Sequence, residues 1–142
     1  MSLLQRLKWW DESAKKPLHL RHGEAGELAA KKHLQKAGLK YLTANFRSER
    51  GEVDLVFRDQ DCLVFVEVKT RAAGSWSRPA AAVNARKRLK LTRCAFDYLR
   101  MLDNPPVKVR FDIVEVLMTD GTVSETRHLP NTFALTAPFR YG

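Results

Sequence analysis

Apolar positions follow two rhythms along this chain, and each change of rhythm marks an element. From Gly23 the spacing is helical: Ala30, Leu34 and Ala37 fall at i, i+4 and i+7, and Gly38 is placed to stop the helix. Tyr41 to Arg47 is a short strand-like run. Across Glu52 to Arg58 apolar and polar residues alternate, which predicts Val53, Leu55 and Phe57 on one face. Leu63 to Thr70 is rich in β-branched and aromatic residues and reads as a third strand. Arg71 to Arg78, with Gly74 and Ser75, reads as a mobile loop. Pro79 sits where a helix would begin, and the helical pattern runs to about Leu102 before Asn104-Pro105-Pro106 ends it. Val107 to Leu117 is a further strand. Asp120-Gly121 is a turn signal, followed by a short strand and an irregular tail.

Helix, three strands, helix, strand predicts an α/β fold. The three strands can form an antiparallel meander. The second helix, at about 24 residues, is long enough for a right-handed crossover that returns the next strand parallel to its neighbour. The result is a mixed sheet flanked by helices. Residues 1–22 read as a charged N-terminal arm carrying Trp9, Trp10 and Pro17, and residues 23–142 as one domain.

Composition narrows the function classes. Lys and Arg total 25 against 16 Asp and Glu, so the net charge is +9 and polyanions come first among partners. No apolar run approaches the roughly 18 residues of a membrane span, and the opening MSLLQRLKWW lacks a signal-peptide h-region. Cys62 and Cys94 are the only cysteines, which predicts a reduced pair of core thiols and a cytoplasmic protein. CxxC zinc spacing, a phosphate-binding P-loop and a G-x-S-x-G elbow are all missing. His19 and His22 lack a third ligand nearby.

The chemistry concentrates in Glu52-Val53-Asp54 and Glu67-Val68-Lys69. Alternation puts Glu52 with Asp54, and Glu67 with Lys69, on one face each. A four-residue turn, Asp59 to Cys62, pairs Arg58 with Leu63, so that Asp54 faces Glu67 and Glu52 faces Lys69; a two-residue turn shifts the register but keeps all four on one face, and a three-residue turn separates them unless a bulge corrects it. Like charges opposed across strands are destabilising, whereas a divalent cation bridging the carboxylates gives them a purpose. Oxygen ligands suit Mg²⁺, which takes one or two carboxylates plus substrate phosphate and water. Glu27 lies on the apolar side of the first helix, where it can reach this acid pair or simply pair with Lys31. Lys87 interrupts the inward stripe Val83, Leu91, Ala95, Tyr98, and either touches a phosphate or snorkels to solvent. Arg71, Arg78, Arg86, Lys87, Arg88, Lys90 and Arg93 form an acid-free span that includes Trp76, a candidate nucleic-acid surface.

A helix glutamate, a strand aspartate and E-x-K on the next strand resemble the PD-(D/E)xK nuclease superfamily. Five segments together are more specific: G-x-x-G-E-x-A-A at Gly23 to Ala30, N-F-R at Asn45 to Arg47, G-E-V-D-L at Gly51 to Leu55, F-V-E-V-K-T-R at Phe65 to Arg71 and R-F-D-I-V at Arg110 to Val114. In that order they resemble the YraN family of bacterial proteins, over about residues 21–135. The resemblance implies a restriction-endonuclease-like αβββαβ core, similar to archaeal Holliday-junction resolvases, and a nuclease role. It puts Glu27, Asp54, Glu67 and Lys69 at the superfamily's acidic and lysine positions, although Val53 stands where a proline often precedes the aspartate.

The expected function is a Mg²⁺-dependent endonuclease on DNA, with branched or flapped forms among its substrates and Mn²⁺ able to substitute. Asp54, Glu67 and the Val68 carbonyl would hold the metal, Lys69 would assist the attacking water, and Glu27 would support the site. The alternative is a nucleic-acid-binding module that keeps the fold without cleavage. Further candidate partners are a protein docking on the N-terminal arm and a second copy of the chain.

Overall fold

The helical spacing after Gly23 belongs to a helix that starts earlier. In the computed structural model, which describes residues 18–72, 84–133 and 135, helix α1 spans Leu18–Lys36. Ala30 and Leu34 are buried as predicted, but Ala37 is exposed and Leu39 takes its place. Gly38, at φ 96°, turns the chain back: its N–H donates to the Gln35 carbonyl and the Leu39 N–H to the Leu34 carbonyl, both at 3.1 Å. This pair of bonds is a Schellman closure, which brings Leu39 down onto Leu34.

Five strands follow: β1 (Lys40–Ser48), β2 (Gly51–Asp59), β3 (Cys62–Ala72), β4 (Lys108–Thr119) and β5 (Thr122–Phe133). They lie side by side in chain order, antiparallel except for the β3–β4 pair, which is parallel. Helix α2 (Ala85–Met101) makes that crossover, and its N-cap Asn84 accepts a hydrogen bond from the Lys87 N–H at 3.0 Å. The fold is therefore the expected α/β restriction-endonuclease-like core, a mixed sheet with a helix on each face. Trp9, Trp10, the Gly74-Ser75 loop, Trp76, Arg78, the Pro79 helix start and Val83 lie outside the described residues. Among the described residues no helix is long and apolar enough to cross a membrane.

Alternation gives the sheet two apolar faces. Leu55, Phe57, Val64, Val66 and Val114 pack under α1 with Ala30 and Leu34; Val53, Val56, Leu63, Phe65 and Ile113 pack under α2 with Leu91, Ala95 and Tyr98. The expectation that Val53 shares a face with Leu55 and Phe57 is corrected here. Asn45, at φ 53°, lies between the Ala44–Leu55 and Phe46–Val53 pairs and is itself unpaired with Asp54, so the alternation breaks at Asp54.

The last strand is also longer than its sequence suggests. Asp120 (φ 50°) and Gly121 (φ 79°) form the predicted two-residue turn, but β5 then continues through Pro130 to Phe133. Proline is tolerated because β5 is an edge strand, and the register shifts between Phe111 and Ile113 as the strand passes it. Buried Asp112 pins this stretch. It accepts from the Asn131 N–H (2.9 Å) and from Arg110 Nε (3.0 Å), with His128 Nε2 at 2.7 Å, while Arg110 also reaches Asp59 (2.9 Å). Such long-range bonding leaves no mark in hydrophobic periodicity.

Candidate active site

On the α2 face, β3 runs Leu63, Phe65, Glu67, Lys69, so an apolar floor gives way to charge along one strand. Glu67 is only 7 % exposed. Its partner comes from above: the inward stripe of α2, read backwards from Tyr98 through Ala95 and Leu91, reaches Lys87, whose Nζ lies 2.5 Å from Glu67 Oε1. Lys69 Nζ lies 3.5 Å from the same oxygen. The lysine that interrupts the stripe therefore neutralises a buried acid, an alternative to both roles that its spacing suggested.

Asp54 approaches from the neighbouring strand. The β2–β3 register pairs Arg58 with Leu63, as the four-residue turn predicts, and the ladder ends at Leu55–Val66. One residue further, Asp54 Oδ2 accepts from the Val68 N–H at 2.8 Å, so a side chain replaces the next strand partner. Burial first, then the charge of Glu67, push the Asp54 carboxyl up to about 7; the Val68 bond opposes this, and a hydrogen bond with the Glu67 carboxyl adds to it. Burial lowers Lys69, helped by the neighbouring Lys87. Burial is the largest influence on Lys87 and acts to lower it, but the hydrogen bonds with Glu67 and Lys69 and the charges of Glu67 and Asp54 together outweigh this and hold it raised.

Glu27 joins from α1, half-buried, with a hydrogen bond to the Asn45 side chain. Burial raises its pKa, and the charges of Glu52, Glu24 and Glu67 raise it further against that bond. Gly26 sets the helix at this height: a Cβ there would sit 2.0 Å from Thr70 Oγ1, so α1 crosses β3 at glycine-only distance. The sequence signal was the Gly-Glu pair itself, legible only once the crossing strand is known.

The structure thus brings Glu27, Asp54, Glu67, Lys69 and Lys87 together, with Val68 between them. Glu52 lies at the edge of the cluster: its charge acts on Glu27, but its side chain pairs with Arg47 on β1, Oε1 at 3.4 Å from Nε, and not with Lys69 as the register suggested. Arg86, Lys90 and Arg93 are exposed along α2, and Arg71 ends the β3 approach. Arg88 sits elsewhere, 5.3 Å over the Phe133 ring. Sequence reasoning missed Glu115, fully buried, level with Lys69 in the β3–β4 ladder and with neither carboxylate oxygen hydrogen-bonded among the described residues. It also missed Arg50, which binds Asp97 through Nε (3.1 Å) and NH2 (2.7 Å) and ties the β1–β2 turn to α2.

Among the described residues no three His, Cys, Asp or Glu stand close enough to hold a metal by themselves. The donor set is two carboxyls on adjacent strands. That fits Mg²⁺, which keeps waters and takes further oxygens from a phosphate substrate, and does not fit a closed structural zinc site.

The model of the uncharacterised protein family UPF0102 matches residues 26–116, from Gly26 on α1 into β4. A UPF0102 protein of Trichlorobacter lovleyi is 40 % identical over 114 residues, covering 80 % of this chain and 90 % of that protein. One from Symbiobacterium thermophilum is 46 % identical over 96 residues, covering 68 % and 81 %. One from Clostridium acetobutylicum is 36 % identical over 119 residues, covering 83 % and 98 %.

Proposed function

The chain belongs to the uncharacterised protein family UPF0102, the YraN family, and we propose that it is a Mg²⁺-dependent endonuclease acting on DNA, branched or flapped forms included. One observation carries this reading. Glu67 is buried with Asp54 half-buried beside it, and Asp54 is pushed up to about 7 by desolvation and by the charge of Glu67. Two carboxyls this close and this poorly hydrated cost stability, so they point to a ligand that repays the cost.

In this reading Asp54, Glu67 and the Val68 carbonyl hold the ion, with Mn²⁺ as a substitute. Bound there, the ion supplies Lewis-acid polarisation of the phosphodiester and lowers the pKa of water. Lys69, beside Glu67, orients the attacking water and offsets charge developing on the phosphoryl oxygens. Glu27, fixed by Asn45, supports the acid cluster from the helix side. Arg71, Arg78, Arg86, Lys87, Lys90 and Arg93 hold the polyanion. Helix α2 supports this assignment: Arg86, Lys87 and Arg88 occupy its first turn with no acid among them, an arrangement that opposes the helix dipole and so does not serve helix stability.

The test is cleavage of duplex, single-stranded and branched DNA with Mg²⁺ or Mn²⁺. Metal-dependent cleavage is expected, and Asp54→Ala with Glu67→Ala abolishes it; activity surviving that double change sinks the assignment. The 2.5 Å contact of Lys87 with Glu67 favours a second reading, a nucleic-acid-binding module whose acid is permanently neutralised. Calorimetric titration with Mn²⁺ separates the two: a site weakened by Asp54→Asn supports the nuclease, and no heat of binding supports the module.

A further inference from the structure

We infer that the cleft between the β1–β2 turn and helix α2 binds one unpaired strand of nucleic acid and leads it to the acid cluster. The choice of nucleic acid as ligand rests on the function proposed above; the shape and chemistry of the cleft do not. The cleft has a volume of about 650 Å³, with Arg47, Glu49 and Glu52 on the turn side and Lys87, Lys90 and Leu91 on the helix side. Lys87 is shared with the site, because its Nζ contacts Glu67 at 2.5 Å. A strand lying in the cleft therefore ends at Glu67.

The walls are set before any ligand arrives. A Cβ on Gly51 would come within 2.9 Å of the Lys90 carbonyl oxygen, so the turn rests directly on the backbone of α2. Arg50 adds two bonds to Asp97 and one to the Arg93 carbonyl at 3.2 Å. Preformed walls spare a ligand the ordering cost of building its own site.

The lining holds both cations and acceptors. Lys90 is exposed, with no ion-pair or hydrogen-bond partner among the described residues. Arg47 is 77 % exposed and, among the described residues, held only by Glu52 at 3.4 Å, the kind of surface pair that is worth little and exchanges readily for a phosphate. Glu49 also lines the cleft, as an acceptor without a partner among the described residues. A surface that only follows duplex backbone has use for cations alone. Carboxylates become useful when base amino groups are presented, and an unpaired strand presents them while a duplex keeps its pairing edges hidden. The size agrees. The cleft is within the roughly 300–1,000 Å³ of small-ligand sites, whereas a duplex, with a major groove alone about 12 Å wide, would bridge over it.

The experiment measures binding without metal, by fluorescence anisotropy in EDTA over a range of salt. The probes are a single-stranded oligonucleotide, a blunt duplex and the same duplex with a single-stranded tail. Arg47→Ala with Lys90→Ala should weaken the single strand and the tailed duplex about tenfold. It should also lower their log–log salt slope by about 1.4, roughly 0.7 for each lost phosphate contact. Blunt-duplex affinity should fall less, about threefold, because of the pair only Lys90 also holds duplex backbone. Both side chains are exposed, so an unchanged urea midpoint should accompany the variant. Equal loss on blunt duplex, an unchanged single-strand slope, or absence of single-strand binding by the unmodified chain each overturns the inference. Because no metal is present, single-strand binding through this cleft stands even where cleavage is never found, and cleavage with an unaltered single-strand slope removes the cleft while leaving the nuclease.

Discussion

A carboxyl buried beside another carboxyl titrates late, and Asp54, pushed up to about 7 by burial and by Glu67, is the case here. In the unfolded chain an aspartate titrates near about 3.9. Between these values the folded state keeps a proton that the unfolded chain has lost, so this group's contribution to stability falls as pH rises from about 4 to about 7. Asp54→Asn removes that loss. Urea denaturation at pH 4.5 and 7.5 should therefore show the variant gaining stability relative to the parent at the higher pH. Asp97 behaves in the opposite sense. Hydrogen bonds from Arg50 hold its carboxyl well below the usual carboxylate range. Its contribution is fully present above the unfolded aspartate pKa and is lost as pH falls below about 4 through its depressed folded value. Arg50→Ala should flatten the acid limb of the stability profile between pH 4 and 2, measured by the same urea midpoints.

Elements here are held at set distances by single residues. Gly26 lets α1 cross β3 against Thr70, with only 2.0 Å available to a Cβ. Gly26→Ala should cost about 1–3 kcal/mol by overpacking, and Thr70→Ala in the same chain should restore part of it, since the clash is mainly with Oγ1. The measurement is the urea midpoint of the two variants. Because Glu27 follows Gly26 directly, Mn²⁺ binding should weaken along with stability. Along α2, exposed Arg86 and Arg93 share a side, whereas Arg88 lies over Phe133. Arg86→Ala with Arg93→Ala should lower the salt slope of duplex binding by about 1.8, at roughly 0.9 per phosphate, and weaken all sequences alike. Arg88→Ala should leave the slope unchanged and instead cost about 0.5–1 kcal/mol of stability, the worth of an exposed cation–π contact.

At the scale of the whole molecule, two apolar layers clamp the sheet, and the charged residues collect where β2, β3 and the start of α2 leave the core under them. Every residue assigned to the acid cluster or the cleft falls within residues 26–116, the stretch that the family model matches. Removing residues 1–16, which precede α1, should therefore leave Mn²⁺ binding and single-strand affinity within about twofold of the full chain, within the error of reading small free-energy differences, while a lost protein partner would mark the arm as a docking segment.

Strand and helix identities and the shared face of Glu67 and Lys69 were legible in the sequence, because each depends on spacings of a few residues that backbone periodicity dictates, whereas the β2–β3 register was one of three that the turn allowed. The same periodicity misled at Asp54, where Asn45 in a left-handed conformation interrupts the ladder, and at β5, where the short strand and irregular tail are one strand pinned by the Asp112 bonds. Only the tertiary structure decided that Lys87 meets Glu67, that Glu52 turns to Arg47, that Arg50 anchors on Asp97 and that Gly26 lies against Thr70. Those contacts bring together residues of separate elements, or select among several neighbours that alternation alone allows. Their energies depend on burial and on the angle at which helices cross the sheet, quantities that exist only once the two layers have packed.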